Sequence, residues 1–353
     1  ANIDFEKRQE EFRGILEKYR AKEGSNYDCV VPVSGGKDSH YQVIRILEAH
    51  LNPLCVTATT DSLTQIGRHN IENLKKLGVD YIEVSTNPVL RRRLNRLALE
   101  QIGDISWPEH VTIFTIPVRM AVQMNIPLII WGENPQDEYG GPAASSEKNI
   151  LDRRWLEEFG GLLGLRVSDL IDQDGIQTHH LLQYFYPSDA ELRGVGVTGL
   201  FLGHYFPWDG YANAQHAKAH GFQTFHKAVE GSIVDYENLD NYQTGIHDYF
   251  KYLKYGFGRA TDLVCNHIRR RRLSRIDGLK LVQKHDGKFP QTYLDRDLKD
   301  ILAEIDMTSE EFAAICDRFT NKKLFKLDAK GKLIKDASGS LSKINDDNPV
   351  STG

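Results

Sequence analysis

Between Tyr27 and Ser39 the chain reads YDCVVPVSGGKDS, an apolar run that stops at a serine, two glycines, a lysine, an aspartate and a second serine. Those residue types at that spacing suit the holding of phosphate. Gly35 and Gly36 can take backbone angles closed to other residues and let main-chain N–H groups approach a ligand. Lys37 supplies a mobile cation, the Ser34 and Ser39 hydroxyls can donate to phosphate oxygens, and Asp38 can order the loop or meet a metal. A strand must precede this turn and a helix must follow it. Asp28–Val33 has the uninterrupted β-branched apolarity of a strand buried on both faces of a parallel sheet, and Ser39–His50 has helical spacing. The N-terminus of that helix adds unpaired donors and a positive dipole end to the turn.

The alternation continues downstream. Strand Leu54–Thr60, helix Leu63–Leu77, strand Tyr81–Val84, helix Pro88–Ile102, a helix from about His110 to Met124 and strand Leu128–Trp131 follow in order. Strands alternating with helices predict an α/β fold with a doubly wound parallel sheet. Residues 1–22 carry Phe5, Phe12, Leu16 and Tyr19 as one apolar stripe, expected on the outside of that sheet. Ligands of such sheets bind at the carboxyl ends of the strands. After the second strand come Thr59, Thr60 and Asp61, with Asp61 either a hydroxyl or magnesium partner or the cap of the next helix. After the fourth, WGENPQDEYGG sets Gly132, Glu133 and Asn134 at the same edge, together with Asp137 and Glu138; an acidic surface loop is the alternative.

The 353 residues suit one large domain or two smaller ones, and 40% hydrophobic residues are ample for a core. A formal net charge of −5 gives no electrostatic reason to expect nucleic acid. No run of about 18 apolar residues and no secretory signal is present, so a soluble, cytoplasmic protein without a membrane partner is expected. Cys29, Cys55, Cys265 and Cys316 form no C-x-x-C and read as reduced core thiols.

The second half is read mainly as packing. Aromatics crowd Tyr184–Tyr186, FLGHYFPWDGY and Tyr242–Phe257; plain core packing is favoured for most, with Trp208 and Asp209 singled out as pocket residues. His216 and His220 stand four apart with His226 near, and His179 adjoins His180; both sets are read as ordinary histidines rather than metal ligands. Arg269–Arg272, and similarly Arg91–Arg93, are read as a solvated helix face, with bidentate contact of Arg269 to a sugar carboxylate or diphosphate as the alternative. Boundaries are expected near 190 and 320: a nucleotide-binding domain 1–190, a mostly helical substrate part 191–320, and a partly disordered Lys- and Asp-rich tail 321–353.

SGGKDS has a shorter spacer than the common P-loop. After a hydrophobic strand it resembles the PP-loop of the ATP pyrophosphatases, which split ATP between its α and β phosphates. That resemblance implies ATP and Mg²⁺ at Ser34–Ser39, with adenine and ribose near Thr59–Asp61. The ordered blocks YDCVVPVSGGKDS, LNPLCVTATT, IGRHNIENLKKLGVDYIEVS, WPEHVTIFTIPVRMAV, NIPLIIWGENPQDEYGG and YLKYGFGRATDLVCNHIRRRRLSR are similar to the N-acetyl sugar amidotransferase family, which includes bacterial surface-polysaccharide proteins of the WbpG and PseA type. The resemblance covers roughly residues 3–300. It implies an ATP-dependent conversion of a sugar acetamido group into an acetamidino group for O-antigen or other surface polysaccharide. Ammonia is then expected from a glutaminase subunit, in some members through a partner resembling the cyclase subunit of histidine biosynthesis. Members begin with a cysteine-rich knuckle, expected to bind Zn²⁺, upstream of the segment matching Ile3–Phe12. Either that knuckle was removed from this chain or this member lacks it. The rival reading is a PP-loop enzyme that makes lysidine in tRNA or thiolates a base; the acidic charge and the missing cysteine pair stand against it.

Overall fold

The computed structural model describes residues 3–133 and 162–344, in two compact units: 1–91 with 107–224, and 92–106 with 225–353. The first unit is built on α1 (Phe5–Tyr19), β1 (Cys29–Pro32), α2 (Lys37–Glu48), β2 (Pro53–Ala58), α3 (Gln65–Lys75), β3 (Asp80–Val84), the start of α4 (Pro88–Ile102), α5 (Trp107–Gln123) and β4 (Leu128–Trp131). After the stretch 134–161 it continues through α6 (Asp189–Val195), β5 (Thr198–Phe201), α7 (Leu202–Tyr205) and α8 (Gly210–Ala219).

The five strands are parallel, in the order β3-β2-β1-β4-β5. Alternate residues of β1 enter different cores, since successive side chains of a strand point to opposite faces. Cys29, Val31 and Val33 join Phe12 and Leu16 of α1 and Tyr41, Val43 and Ile46 of α2. Val30 joins Phe114, Ile116, Val118 and Ala121 of α5 with Trp131 of β4. Helices therefore cover both faces, and the predicted doubly wound α/β sheet is the observed one. Because β2 and β3 run out on one side of β1 and β4 and β5 on the other, the strand order reverses between β1 and β4. That reversal opens a crevice at the carboxyl ends of the strands.

The element limits agree with the sequence reading to within a few residues, but β5 was not expected. Its four residues, TGLF, pair with β4 from Leu128↔Thr198 to Trp131↔Phe201 and carry the sheet past residue 190. The boundary between the units falls instead at 224/225, and residues 92–106 belong with the second unit.

The second unit contains the rest of α4, α9 (Thr244–Tyr255), α10 (Arg259–Arg269), α11 (Arg275–His285), a two-stranded antiparallel hairpin β6 (Thr292–Tyr293) and β7 (Arg296–Asp297), α12 (Leu298–Ala303) and α13 (Ser309–Phe319). Charged pairs tie it together: Asp104 accepts from His247 Nδ1 at 2.8 Å, and Asp248 from Arg259 at 2.9 Å. The expected disordered tail is corrected for 321–344, where Phe325 pairs with Lys343, Leu327 with Leu333 and Lys335 with Leu341, and Phe325 is fully buried. Residues 345–353 lie outside the described residues.

Candidate active site

Ser34, Gly35 and Gly36 form the turn from β1 into α2, with Gly36 as the N-cap. Gly35 has φ +90°, and a Cβ there would stand 2.9 Å from Ile71 Cγ1 and 3.2 Å from the Ile71 backbone nitrogen of α3. Both conformation and space therefore require glycine. No side chain caps α2, so the first-turn donors of a twelve-residue helix face the mouth of the turn. The two serines brace the turn across its width. The Ser34 N–H donates to Ser39 Oγ at 3.0 Å, the hydroxyl oxygens stand 3.5 Å apart, and the Gly36 N–H points at Ser34 Oγ at 3.4 Å.

Lys37 is not the mobile cation expected from the sequence. Its side chain is only 8% exposed, and Nζ lies 2.6 Å from Asp38 Oδ2. Asp38 in turn accepts from Asn213 Nδ2 of α8 at 2.8 Å, so this carboxylate orders the loop.

The crevice wall at β4 is set by Gln42 of α2, whose amide donates to the Ile130 carbonyl. A Cβ on Gly132 would run into that glutamine side chain, which gives Gly132 a packing reason of its own. The Glu133 carbonyl accepts from the Gly203 N–H at 3.1 Å, bringing the end of β4 to α7. Asn134, Asp137 and Glu138 lie outside the described residues. At the end of β2, Thr59 Oγ1 bonds Ser85 Oγ at 2.6 Å and the Val84 carbonyl at 3.2 Å. Asp61 is exposed and does not cap the next helix. Thr64 does, accepting from the Gly67 N–H at 2.8 Å.

Other expectations change. Trp208 is 7% exposed and belongs to the core beside Tyr41, their rings 5.7 Å apart, rather than to a pocket. Asp209 is the N-cap of α8, accepting from the Tyr211 N–H. Arg269 stands exposed at the end of α10 and bonds Asn266, as a solvated helix end does. Arg91, by contrast, is buried and donates to Thr112 Oγ1. Cys265 is exposed, not a core thiol. Cys29, Cys55 and Cys316 are buried, and burial raises each thiol, that of Cys55 to about 12. Among the described residues no three His, Cys, Asp or Glu side chains gather as a metal site, and no helix is long and apolar enough to cross a membrane.

Sequence reasoning missed Gln42, Asn213 and also Asn73 of α3, whose Nδ2 stands 3.1 Å from His40 Nε2 in the first turn of α2. Nothing local marks an amide on a helix as the partner of a loop remote in sequence.

Three kinds of likeness bear on the chain. Residues 222–337 match the family described as LPS biosynthesis protein WbpG-like, C-terminal domain. An uncharacterized protein of Methanocaldococcus jannaschii is 32% identical over 117 residues, 29% of this chain and 42% of its own length. The chain thus spans about two fifths of that curated relative. Among solved structures, an NMN synthetase from Francisella tularensis aligns with TM-score 0.30 at 10% identity, over 62% of this chain and 96% of its own. An NH3-dependent NAD synthetase from Campylobacter jejuni, in complex with the nitrate ion, aligns with TM-score 0.31 at 13% identity, over 63% and 98%. TM-scores this low carry no argument about activity. The sequence match is different in kind: residues 222–337 are similar to the WbpG-like C-terminal domain of LPS biosynthesis proteins, and the matched stretch includes the block YLKYGFGRATDLVCNHIRRRRLSR.

Proposed function

We propose that the protein is an ATP-dependent amidotransferase that replaces the acetamido oxygen of an N-acetylated sugar, or its nucleotide derivative, with ammonia. The observation that carries the reading is a serine-braced, glycine-tight turn at an uncapped helix N-terminus, on the same chain as a WbpG-like domain. A carboxamide resists ammonia because its oxygen is a poor leaving group. The amide oxygen attacks the α-phosphorus of ATP, the bond to the β-phosphate oxygen breaks, and pyrophosphate departs. Ammonia then adds to the imidate carbon, and AMP leaves with the former amide oxygen.

The chain's part is alignment and charge stabilisation. Lys37, the Ser34 and Ser39 hydroxyls and the first-turn amides of α2 hold the departing pyrophosphate, and Asp38 holds the lysine. Mg²⁺ arrives on the triphosphate as part of the substrate. Thr59, Asp61, Gly132 and Glu133 border the nucleotide at the neighbouring strand ends.

An isotope experiment tests the mechanism. With heavy oxygen in the acetamido carbonyl, ATP and ammonium, the AMP produced carries the label. ADP as product, or unlabelled AMP alongside amidine, overturns the reading.

Ammonia comes from a separate glutaminase subunit, with a cyclase-like subunit as conduit. Three of the four thiols are buried with raised pKa values, which suits none of them to glutamine attack, and the exposed fourth, Cys265, lies within helix α10 rather than on a nucleophile-bearing turn. The purified chain is therefore expected to turn over with ammonium and to release no glutamate from glutamine. Glutamate release by the chain alone would contradict this division of labour.

A further inference from the structure

His40 lies in the first turn of α2 and is fully buried. Its Nδ1 stands 2.9 Å from the Gly36 carbonyl oxygen, and its Nε2 stands 3.1 Å from Asn73 Nδ2 of α3. The carbonyl can only accept, so Nδ1 carries the proton. Asn73 Nδ2 also donates to the His220 carbonyl at 2.8 Å, which fixes it as the NH₂ end of the amide and leaves Nε2 as acceptor. Burial, opposed by the bond to Gly36 and reinforced by His220, lowers the His40 pKa to about 4, in keeping with a neutral ring of that single tautomer.

The far end of the chain of bonds is also built for close approach. Gly221, just after α8, has φ +91°, and a Cβ there would meet Asn73 Oδ1 at 2.5 Å. Helix α8 thus reaches the loop by two routes, through Asn213 to Asp38 and through His220, Asn73 and His40 to Gly36.

The Gly36 carbonyl and the Lys37 N–H belong to one planar trans peptide, in which they point in opposite directions. That carbonyl already accepts the His40 backbone N–H at 3.1 Å as the first helical bond of α2, and the ring adds a second, shorter hold at 2.9 Å; whatever fixes the carbonyl aims the amide. We propose that His40 is a positioning residue of the phosphate loop: by holding the Gly36 carbonyl, the His40–Asn73 pair turns the Lys37 amide toward the bound phosphate. This rests on the phosphate role proposed above, yet the loop's order can be read without it.

Three variants separate hydrogen bonding from packing. His40→Asn puts an amide donor near the Nδ1 position, His40→Phe keeps a ring against Phe222, whose centroid lies 5.1 Å from that of His40, and His40→Leu keeps neither. Two readouts are hydrogen exchange of peptides spanning residues 34–41 in the ligand-free protein and calorimetric affinity for inorganic pyrophosphate. His40→Phe and His40→Leu are expected to speed exchange and weaken pyrophosphate binding about three- to tenfold, the value of one lost hydrogen bond, with His40→Asn within about twofold of the parent. If His40→Phe matches the parent while His40→Asn is impaired, the residue is packing and the proposal falls. Should His40→Leu not fold, the Asn and Phe variants still decide. A parent protein that binds no pyrophosphate would remove the phosphate role, while the exchange pattern alone would still show whether His40 orders the turn.

Discussion

Lys37→Ala is expected to lower ATP-dependent pyrophosphate release about 10²–10³-fold, the usual cost of removing one preorganised group that stabilises charge developing in the transition state. The lysine stands at the opening turn of α2 with its Nζ held by Asp38, so the ammonium group is already desolvated and placed before any nucleotide arrives. Because the stem is buried, alanine also leaves a small void, and melting temperature must be followed beside activity. Lys37→Met, which fills most of that space without charge, should lose the same activity with a smaller loss of stability. A folded Lys37→Met protein that released pyrophosphate at the parent rate would remove Lys37 from the site.

Gly35→Ala should be comparably damaging for a different reason. A non-glycine residue at φ +90° is strained by about 1–3 kcal/mol, and its Cβ would press on both the side chain and the backbone nitrogen of Ile71. Since a backbone atom of α3 cannot rotate aside, the turn itself must shift. That would carry the Ser34 N–H away from Ser39 Oγ and reorient the amides at the head of α2. Thermal melting should fall and pyrophosphate affinity should drop at least tenfold, a factor equivalent to about 1.4 kcal/mol. If the variant bound pyrophosphate as the parent does, the loop would be plastic and the assignment of the cradle to this turn would be wrong.

The turn and its flanking elements were legible because each is written in adjacent residues. An apolar β-branched run makes β1, two glycines permit the turn, and helical spacing from Ser39 makes α2. The same local signals marked β2, β3 and β4 and the helices between them, and from their alternation the parallel sheet followed. The composition of Thr198–Phe201 gave no comparable signal. TGLF is too short to show a period, and it is a strand only because Leu128–Trp131 offers a free edge to pair with.

What the sequence by itself determined is the strand-turn-helix that bears Ser34, Gly35, Gly36, Lys37, Asp38 and Ser39, since backbone freedom at glycine and period-based burial are local properties. Tertiary structure alone decided which distant groups meet that turn. Asn213 reaches Asp38 across 175 residues, Gln42 reaches the Ile130 carbonyl across 88, and Asn73 reaches His40 across 33. Tertiary packing also buried the Lys37 stem, made Trp208 core and left Arg269 in solvent. The physical reason is the same in each case: a polar side chain's role depends on what the folded chain brings within hydrogen-bonding distance, and an amide or an aspartate reads alike in sequence whether it will face water, a helix end or a phosphate loop.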